Sequence, residues 1–440
     1  LGFMIRDDSL GVTSVIRALS LDGPCYETML HFFYSRAWKL EEIRLCWYRL
    51  VARTGMVLTV DGRYVLAGDG VKQSKEAVYM PGVKKLYQES EDSSKGEYIF
   101  GHMFGAVGAI IHTASDVFCV PLMMGIQDGI RRAADWAGST VSAESHVLQM
   151  VRCGFQAAST MGPSIILPDR YFLSVSAIRL LDELDKACQG RTLDIVTKAK
   201  RNAVAYEKAP ARPPGKPGRP RKKGEGVHLY ELFENGGDFL EGNVHLYGGT
   251  EKVKYLCRDY LWGKGLYREL RFVLVIMDGA RSILASTDPT LPPEKVIELY
   301  GRRFRIENLF REFKQQIGGF CYHFWTKAIG KLDHFSKSGD PDPLDIVMAR
   351  HDREKVLQKI RAIEGFVQLA CIAMGLLQII SFREKDCLEL QSIRYLRTRR
   401  RETASLGNRN VLPAPKVFRI VSDPPRLTDN ANTPYGAALA

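Results

Sequence analysis

Four polar residues in the C-terminal half of the chain recur at a spacing that places them on one side of a helix. Separated by three, four and seven positions, they are Tyr300, Arg303, Glu307 and Lys314. At 3.6 residues per turn, these steps return to nearly the same side. The two cations and the phenol suit DNA phosphates, and the carboxylate suits a metal ion. The pattern predicts a DNA-binding stripe about 21 Å long, although a solvated helix face with internal salt bridges has the same composition.

Two aspartates end short apolar segments that predict strands. These segments are Tyr64-Val-Leu-Ala-Gly-Asp69 and Ser164-Ile-Ile-Leu-Pro-Asp169. Open α/β sheets place their chemistry at the carboxyl ends of strands. Asp69 and Asp169 are therefore the candidates to join Glu307. The rival carboxylates fit turns or other helix positions, and they are Asp61, Asp116, Asp182, Asp185, Glu298 and Glu312.

The elements around these carboxylates predict a mixed α/β domain with a central sheet. Helices are predicted over 10–54, with a break at 22–24, and over 139–158, 174–188, 292–316 and 352–382. Strands are predicted at 56–60, 64–69, 106–111, 117–123, 164–169 and 193–197. Residues 227–288 contain short predicted strands, such as Val253–Cys257 and Phe272–Met277, which indicate a β-rich insertion.

A basic segment rich in Pro and Gly precedes the β-rich insertion. Residues 209–224 contain too much Pro and Gly to pack, and 216–223 resemble an AT-hook, a Gly-Arg-Pro core with basic flanks. An extended backbone would let Arg219 enter the minor groove of A·T-rich DNA, with Arg221 and Lys222 beside it. A flexible linker that contacts phosphates without preference is the alternative interpretation.

The overall charge favours a polyanionic partner. The chain has 440 residues and a net charge of +12, which attracts nucleic acid or an anionic membrane surface. No amphipathic helix accompanies the charge, so nucleic acid is favoured. The longest apolar run, 366–382, is 17 residues long and predicts a buried core helix rather than a membrane span. The nine cysteines lack zinc spacing and predict reduced thiols in a cytoplasmic protein.

The spacing Tyr-x2-Arg-x3-Glu-x6-Lys in 300–314 resembles the signature of a large group of bacterial insertion-sequence DDE transposases, and it matches at every position. Their catalytic domain is similar to ribonuclease H. The resemblance implies a first Asp on the first strand, a second after the fourth strand, and a Glu on a late helix. Asp69, Asp169 and Glu307 occur in that order, and Arg170 follows Asp169 as in many relatives.

The resemblance implies an α/β fold, a ribonuclease H-like mixed sheet with flanking helices, interrupted by a β-rich insertion and preceded by a helical region. The N-terminal helices would aid DNA end binding or dimerisation, and the C-terminal tail would be basic and partly disordered. The predicted segments are the N-terminal helices 1–55, the catalytic domain 56–200 and 291–385, the basic linker and insertion 201–290, and the tail 386–440.

The implied activity is cleavage of DNA at terminal inverted repeats and transfer of the 3′-OH ends to target DNA. Two Mg²⁺ ions, or Mn²⁺ in their place, would be held by Asp69, Asp169 and Glu307. The resemblance implies a homodimer on DNA in the cytoplasm, associated with the nucleoid, with no membrane and no small-molecule substrate. A catalytically inactive or truncated DNA-binding relic and a metal-dependent nuclease of the same fold are the alternatives.

Trp262 lies in the predicted β-rich insertion. Some relatives use an aromatic residue of that domain to stack on a flipped base near the cleaved end, so the resemblance implies a DNA contact at Trp262. An aromatic residue packed in a hairpin is the alternative interpretation.

Overall fold

The computed structural model describes residues 1–6, 8, 11–88, 96–112, 117–138, 144–211, 219–246, 248–333 and 342–383. Asp116, one of the rival carboxylates, lies outside the described residues. So do residues 139–143 at the start of a predicted helix, residues 212–218 of the basic segment, and the whole of the tail 386–440.

The N-terminal region is helical, as predicted. Its helices are α1 (Gly2–Ile5), α2 (Val12–Ala18), α3 (Cys25–Tyr34) and α4 (Leu40–Arg53). The predicted break at 22–24 is confirmed, and a second break at 35–39 divides α3 from α4. Trp47 of α4 is buried and donates from Nε1 to the carbonyl of Pro121 over 2.8 Å. These helices therefore pack on the rest of the fold.

Thirteen described strands form one sheet. They are β1 (Thr59–Val60), β2 (Arg63–Ser74), β3 (Lys84–Tyr87), β4 (Tyr98–His112), β5 (Val117–Ile126), β6 (Ser164–Pro168), β7 (Leu193–Lys198), β8 (Val204–Tyr206), β9 (Gly226–His228), β10 (Leu240–Leu246), β11 (Gly249–Trp262), β12 (Arg268–Met277) and β13 (Ala280–Ser286). The hydrogen-bonded order is β3-β4-β2-β6-β7-β13-β12-β11-β8-β9, with β1 on β2, β5 on β4 and β10 on β11. The pairs β2/β6 and β6/β7 are parallel, and the other pairs are antiparallel. All residues of β6 are buried, as expected for a strand covered on both faces.

The remaining helices flank this sheet. They are α5 (Arg131–Trp136), α6 (His146–Met161), α7 (Val175–Ala187), α8 (Leu232–Asn235), α9 (Pro293–Arg302), α10 (Arg305–Glu312) and α11 (Arg350–Arg383). Successive side chains of β2 point to opposite faces of the sheet, so they show which helices cover each face. Ala67 and Val71 join a core with Leu309 of α10, while Leu66 joins a second core with Met150 of α6. The mixed α/β architecture predicted from the sequence is confirmed.

The predicted β-rich insertion continues the same sheet. Strand β13 pairs antiparallel with β7, with Leu284 opposite Lys198 and Ser286 opposite Val196. From β13 the sheet runs outward through β12, β11, β8 and β9. Backbone hydrogen bonds therefore join the insertion to the central strands, and its boundaries at 201 and 290 stay a prediction.

The long apolar helix α11 lies in the core. Among the described residues it is the one helix long and apolar enough to cross a membrane, yet 78% of its most apolar window is buried inside the protein. Its two interrupting glutamines bind the backbone of β5. Gln368 donates to the carbonyl of Leu122 over 2.9 Å, and Gln378 donates to that of Cys119 over 3.3 Å. This is the buried core helix that the sequence predicts.

Candidate active site

Asp69 lies in the middle of β2, opposite Ala106 of β4. The prediction that its strand ends on Asp69 is wrong, because pairing with β4 carries β2 on to Ser74. Pairing with the parallel strand β6, however, ends at Gly68 opposite Pro168. Asp69 therefore lies where one neighbouring strand stops, and its side chain is 25% exposed.

Asp169 directly follows β6, as predicted, and precedes a 3₁₀ turn over Arg170–Phe172. The hydroxyl of Thr197, on β7, donates to the carbonyls of Pro168 (3.0 Å) and Asp169 (2.9 Å). Gly68 and Pro168 are the last paired residues of the parallel strands β2 and β6. The residues that follow them, Asp69 and Asp169, therefore lie at the same level of the sheet.

The helix that carries the polar stripe is broken. A single helix to Gln316 was predicted, but α9 ends before Arg303, α10 follows, and Phe313–Ile317 form a π-helical turn. At the junction the hydrogen bonds span three residues, as in a 3₁₀ helix. Arg303 N–H donates to Tyr300, and Glu307 N–H donates to Phe304, both over 3.1 Å. The break keeps Arg303 and Glu307 on one side, as their contact shows.

Arg303 joins two of the three candidate carboxylates. Its Nη2 donates to Glu307 Oε1 over 2.6 Å, and its Nη1 donates to Asp69 Oδ2 over 3.3 Å. Burial by itself would lower the pKa of Arg303, but the hydrogen bond to Glu307 and the charges of Asp69 and Glu307 raise it. A guanidinium that stays protonated therefore neutralises part of this site.

The charges place Asp169 in the same neighbourhood. The pKa of Asp69 is raised to about 6, chiefly by burial and also by the charges of Asp169 and Glu307, while the Gly70 N–H and Arg303 oppose the shift. Burial also raises the pKa of Tyr300 to about 12, with Arg303 opposing the shift and Asp169 and Asp69 supporting it. Arg303 thus pairs with two carboxylates, and the charge of Asp169 adds to theirs, so the site favours additional cations.

Two predicted DNA contacts flank this site. Lys314 is exposed and donates from Nζ to the carbonyl of Lys72, three residues beyond Asp69 on β2, over 3.2 Å. Arg170 follows Asp169 and is also exposed. Together with Tyr300 and Arg303, these side chains give the carboxylates a cationic and hydrogen-bonding border suited to phosphates.

The basic segment lies apart from the carboxylates along the sheet. Arg219, Arg221 and Lys222 are exposed and lead toward β9. The next residue, Lys223, is held by an aromatic ring, with its Nζ 3.5 Å from the ring centroid of Tyr206 on β8. The segment therefore reaches the outer strands of the sheet, and its contact with DNA stays a prediction.

Trp262 ends β11, where it is opposite Arg268 of β12 and Ala205 of β8. Its side chain is partly buried and packs against two hydrophobic cores, one between β2 and α6 and the other within the outer strands. This environment matches the packed-hairpin interpretation. The structure packs Trp262 against these cores, and a stacking role stays a prediction.

Four of the rival carboxylates have structural roles. Asp61 occupies a tight turn with φ 50°, before Gly62 at φ 74°, as expected for an Asp-Gly hairpin. Asp182 pairs with Arg268, and Asp185 accepts a hydrogen bond from the Thr192 N–H. Glu298 binds Lys295 and the His245 N–H.

The structure contains a second carboxylate cluster, which the sequence did not predict. Asp194 and Asp288 are buried, and Arg63 Nη1 lies 2.7 Å from an oxygen of each. Burial would raise the pKa of Asp288, but hydrogen bonds from Thr290 and Arg63 and the charge of Arg191 lower it to about 2. The cluster lies at the amino ends of β2 and β7, opposite the edge that carries Asp69. Its members are far apart in sequence, and no local pattern marks them.

The chemistry of Asp69, Asp169 and Glu307 fits hard divalent cations, which prefer carboxylate oxygens. In the described part of the chain, no three His, Cys, Asp or Glu side chains form a group that could hold a metal ion. In the arrangement seen, the Arg303 guanidinium contacts Asp69 and Glu307. A metal ion bound to those same oxygens would therefore require Arg303 to turn away.

One protein-family model matches part of the chain. Residues 148–323 match the model of the family described as "Transposase DDE domain". The matched segment contains Asp169 and Glu307, while Asp69 precedes it. The chain matches no curated protein and no solved structure. The mixed sheet with flanking helices is consistent with a ribonuclease H-like transposase fold, and the matched segment supports a DDE transposase family for this chain.

Proposed function

We propose that this protein is a DNA transposase that cuts at the terminal inverted repeats of a mobile element and transfers the 3′-OH ends to target DNA. The observation that carries the proposal is Arg303, which contacts both Asp69 and Glu307. A residue of a central strand and a residue of a late helix thus share one arginine, and the order of Asp69, Asp169 and Glu307 in the chain is the order that the family resemblance implies.

In this proposal, Asp69, Asp169 and Glu307 hold two divalent cations, Mg²⁺ or Mn²⁺. When bound, such cations supply an activated water and stabilise the leaving oxygen of a phosphodiester. The remaining residues position the DNA. Tyr300, whose pKa of about 12 keeps the phenol protonated at neutral pH, donates a hydrogen bond to a phosphate.

The cationic border completes the DNA site. Arg303, Lys314 and Arg170 neutralise phosphates on either side of the carboxylates, and a planar guanidinium can bind two phosphate oxygens at once. The freed 3′-OH then attacks a second phosphodiester in the same site. Two DNA ends cut in one complex require two copies of this chain, so the active form on DNA is a homodimer.

The test is Mg²⁺-dependent cleavage of a plasmid that carries the DNA flanking this gene. Wild type is compared with Glu307→Gln and with Glu298→Gln, a matched control on α9 whose carboxylate binds Lys295 and the His245 N–H. We expect wild type and Glu298→Gln to cut, and Glu307→Gln to bind DNA without cutting.

Each other outcome would contradict part of the proposal. Cleavage by Glu307→Gln would show that Glu307 is not catalytic. Binding without cleavage by the wild type would indicate a DNA-binding relic or a truncated protein. Cleavage that never joins a 3′ end to target DNA would indicate a nuclease.

A further inference from the structure

Tyr171 exposes an aromatic ring beside the candidate active site. It is two residues beyond Asp169, and 43% of its surface is exposed. The next residue, Phe172, is buried and packs edge-on against the ring of His146, with ring centroids 5.8 Å apart. The 3₁₀ turn therefore anchors one ring in the core and presents the other to solvent.

Two cations flank the exposed ring. The Arg170 guanidinium lies 5.1 Å from the ring centroid of Tyr171, and its Nη2 is 3.2 Å from the phenol oxygen. Lys200, two residues beyond the end of β7, has its Nζ 5.8 Å from the same centroid. The Thr197 hydroxyl ties the carbonyl of Asp169 to β7. The ring, the cations and the carboxylate therefore share one end of two neighbouring strands.

We propose that Tyr171 stacks on an unpaired DNA base next to the phosphodiester that is cut near Asp169, and that Arg170 and Lys200 bind the adjoining phosphates. Aromatic rings next to cations are the usual means of binding single-stranded DNA, because every base has a face that can stack. Trp262, by contrast, packs against two cores. The inference rests on the proposed function and names the DNA structure that the site would recognise.

The experiment compares two DNA probes by fluorescence anisotropy, a blunt duplex taken from the DNA that flanks this gene and the same duplex with a short unpaired tail. We expect wild type to bind the tailed duplex more tightly, and Tyr171→Ala to weaken tailed binding about tenfold. Tyr171→Phe should keep the preference because it keeps the ring. Tyr98→Ala is the matched control, since Tyr98 is 46% exposed and has Lys85 Nζ 4.5 Å from its ring centroid.

A 2-aminopurine base in the tail reports the stacking itself. Its fluorescence should be quenched on binding to wild type and to Tyr171→Phe, and should stay bright with Tyr171→Ala. Equal binding of both probes by the wild type, or a tail preference and quenching that survive in Tyr171→Ala, would overturn this inference and leave the proposed function standing. Failure of the wild type to bind either probe would overturn the proposed function itself.

Discussion

Arg303 donates a hydrogen bond to Glu307 over 2.6 Å, four residues along the chain and across the junction of two helices. Its other terminal nitrogen reaches Asp69, 234 residues away, over 3.3 Å. The guanidinium therefore lies between two of the predicted metal ligands. Divalent cations and Arg303 would compete for the same carboxylate oxygens.

This competition predicts that Arg303→Gln binds Mn²⁺ more tightly than wild type in the absence of DNA. A partly buried ion pair is worth on the order of 1 kcal/mol, so affinity should rise about fivefold. Titration calorimetry on DNA-free protein measures the affinity for Mn²⁺. Arg311→Gln is the control, because Arg311 is exposed on α10, the helix that carries Glu307, and bonds to the Asn308 side chain. Weaker Mn²⁺ binding by Arg303→Gln would show that Arg303 supports the metal site.

Asp69→Asn should stabilise the metal-free protein. The folded-state pKa of Asp69, about 6, lies above its ordinary value of 3.8. The charged carboxylate therefore opposes folding above pH 6, and the penalty disappears as the pH falls toward 4. We expect a gain on the order of 2 kcal/mol at pH 7.5 and about a third of that gain at pH 4.5, measured by urea unfolding. The same gain at both values would contradict burial of the charge as its cause.

Asp288→Asn should destabilise the fold by about 3 kcal/mol at neutral pH, because it leaves Arg63 and Arg191 without a full partner in a buried cluster. The pKa of Asp288 is lowered to about 2, so its contribution is complete above pH 3.8 and is lost as the pH falls toward 2. Urea unfolding at several pH values tests this.

The control for Asp288→Asn is Asp61→Asn, which changes an exposed carboxylate 3.6 Å from the same Arg63. Its effect should stay below about 0.5 kcal/mol. If the two substitutions lowered the free energy of unfolding equally, burial of the Asp288 cluster would not account for its contribution to stability.

Trp262→Ala should destabilise the protein by about 2 kcal/mol, because a partly buried ring that joins two cores would leave a cavity. Trp262→Phe should restore most of the stability. Thermal unfolding and binding of tailed DNA are measured on both variants. A large loss of DNA binding by Trp262→Phe without loss of stability would instead support the stacking role that the family resemblance implies.

Local periodicity determined much of this protein. Alternation and apolar runs predict β6 and β7, helical spacing predicts α7 and α11, and the short strand before Asp169 has the predicted position. The spacing of Arg303 and Glu307 also predicts that they share a side of the helix. These features depend on neighbours within a few residues, and such neighbours can be identified from the sequence.

Tertiary structure decided the features that depend on distant partners. Strand β2 continues past Asp69 because Ser74 still pairs with Gly101 of β4. Trp262 packs against two cores because of the register of β11 with β8 and β12. The contact between Arg303 and Asp69 exists because a central strand and a late helix meet across the same face of the sheet. Sheet register and helix docking set these distances, and no pattern within one segment specifies them.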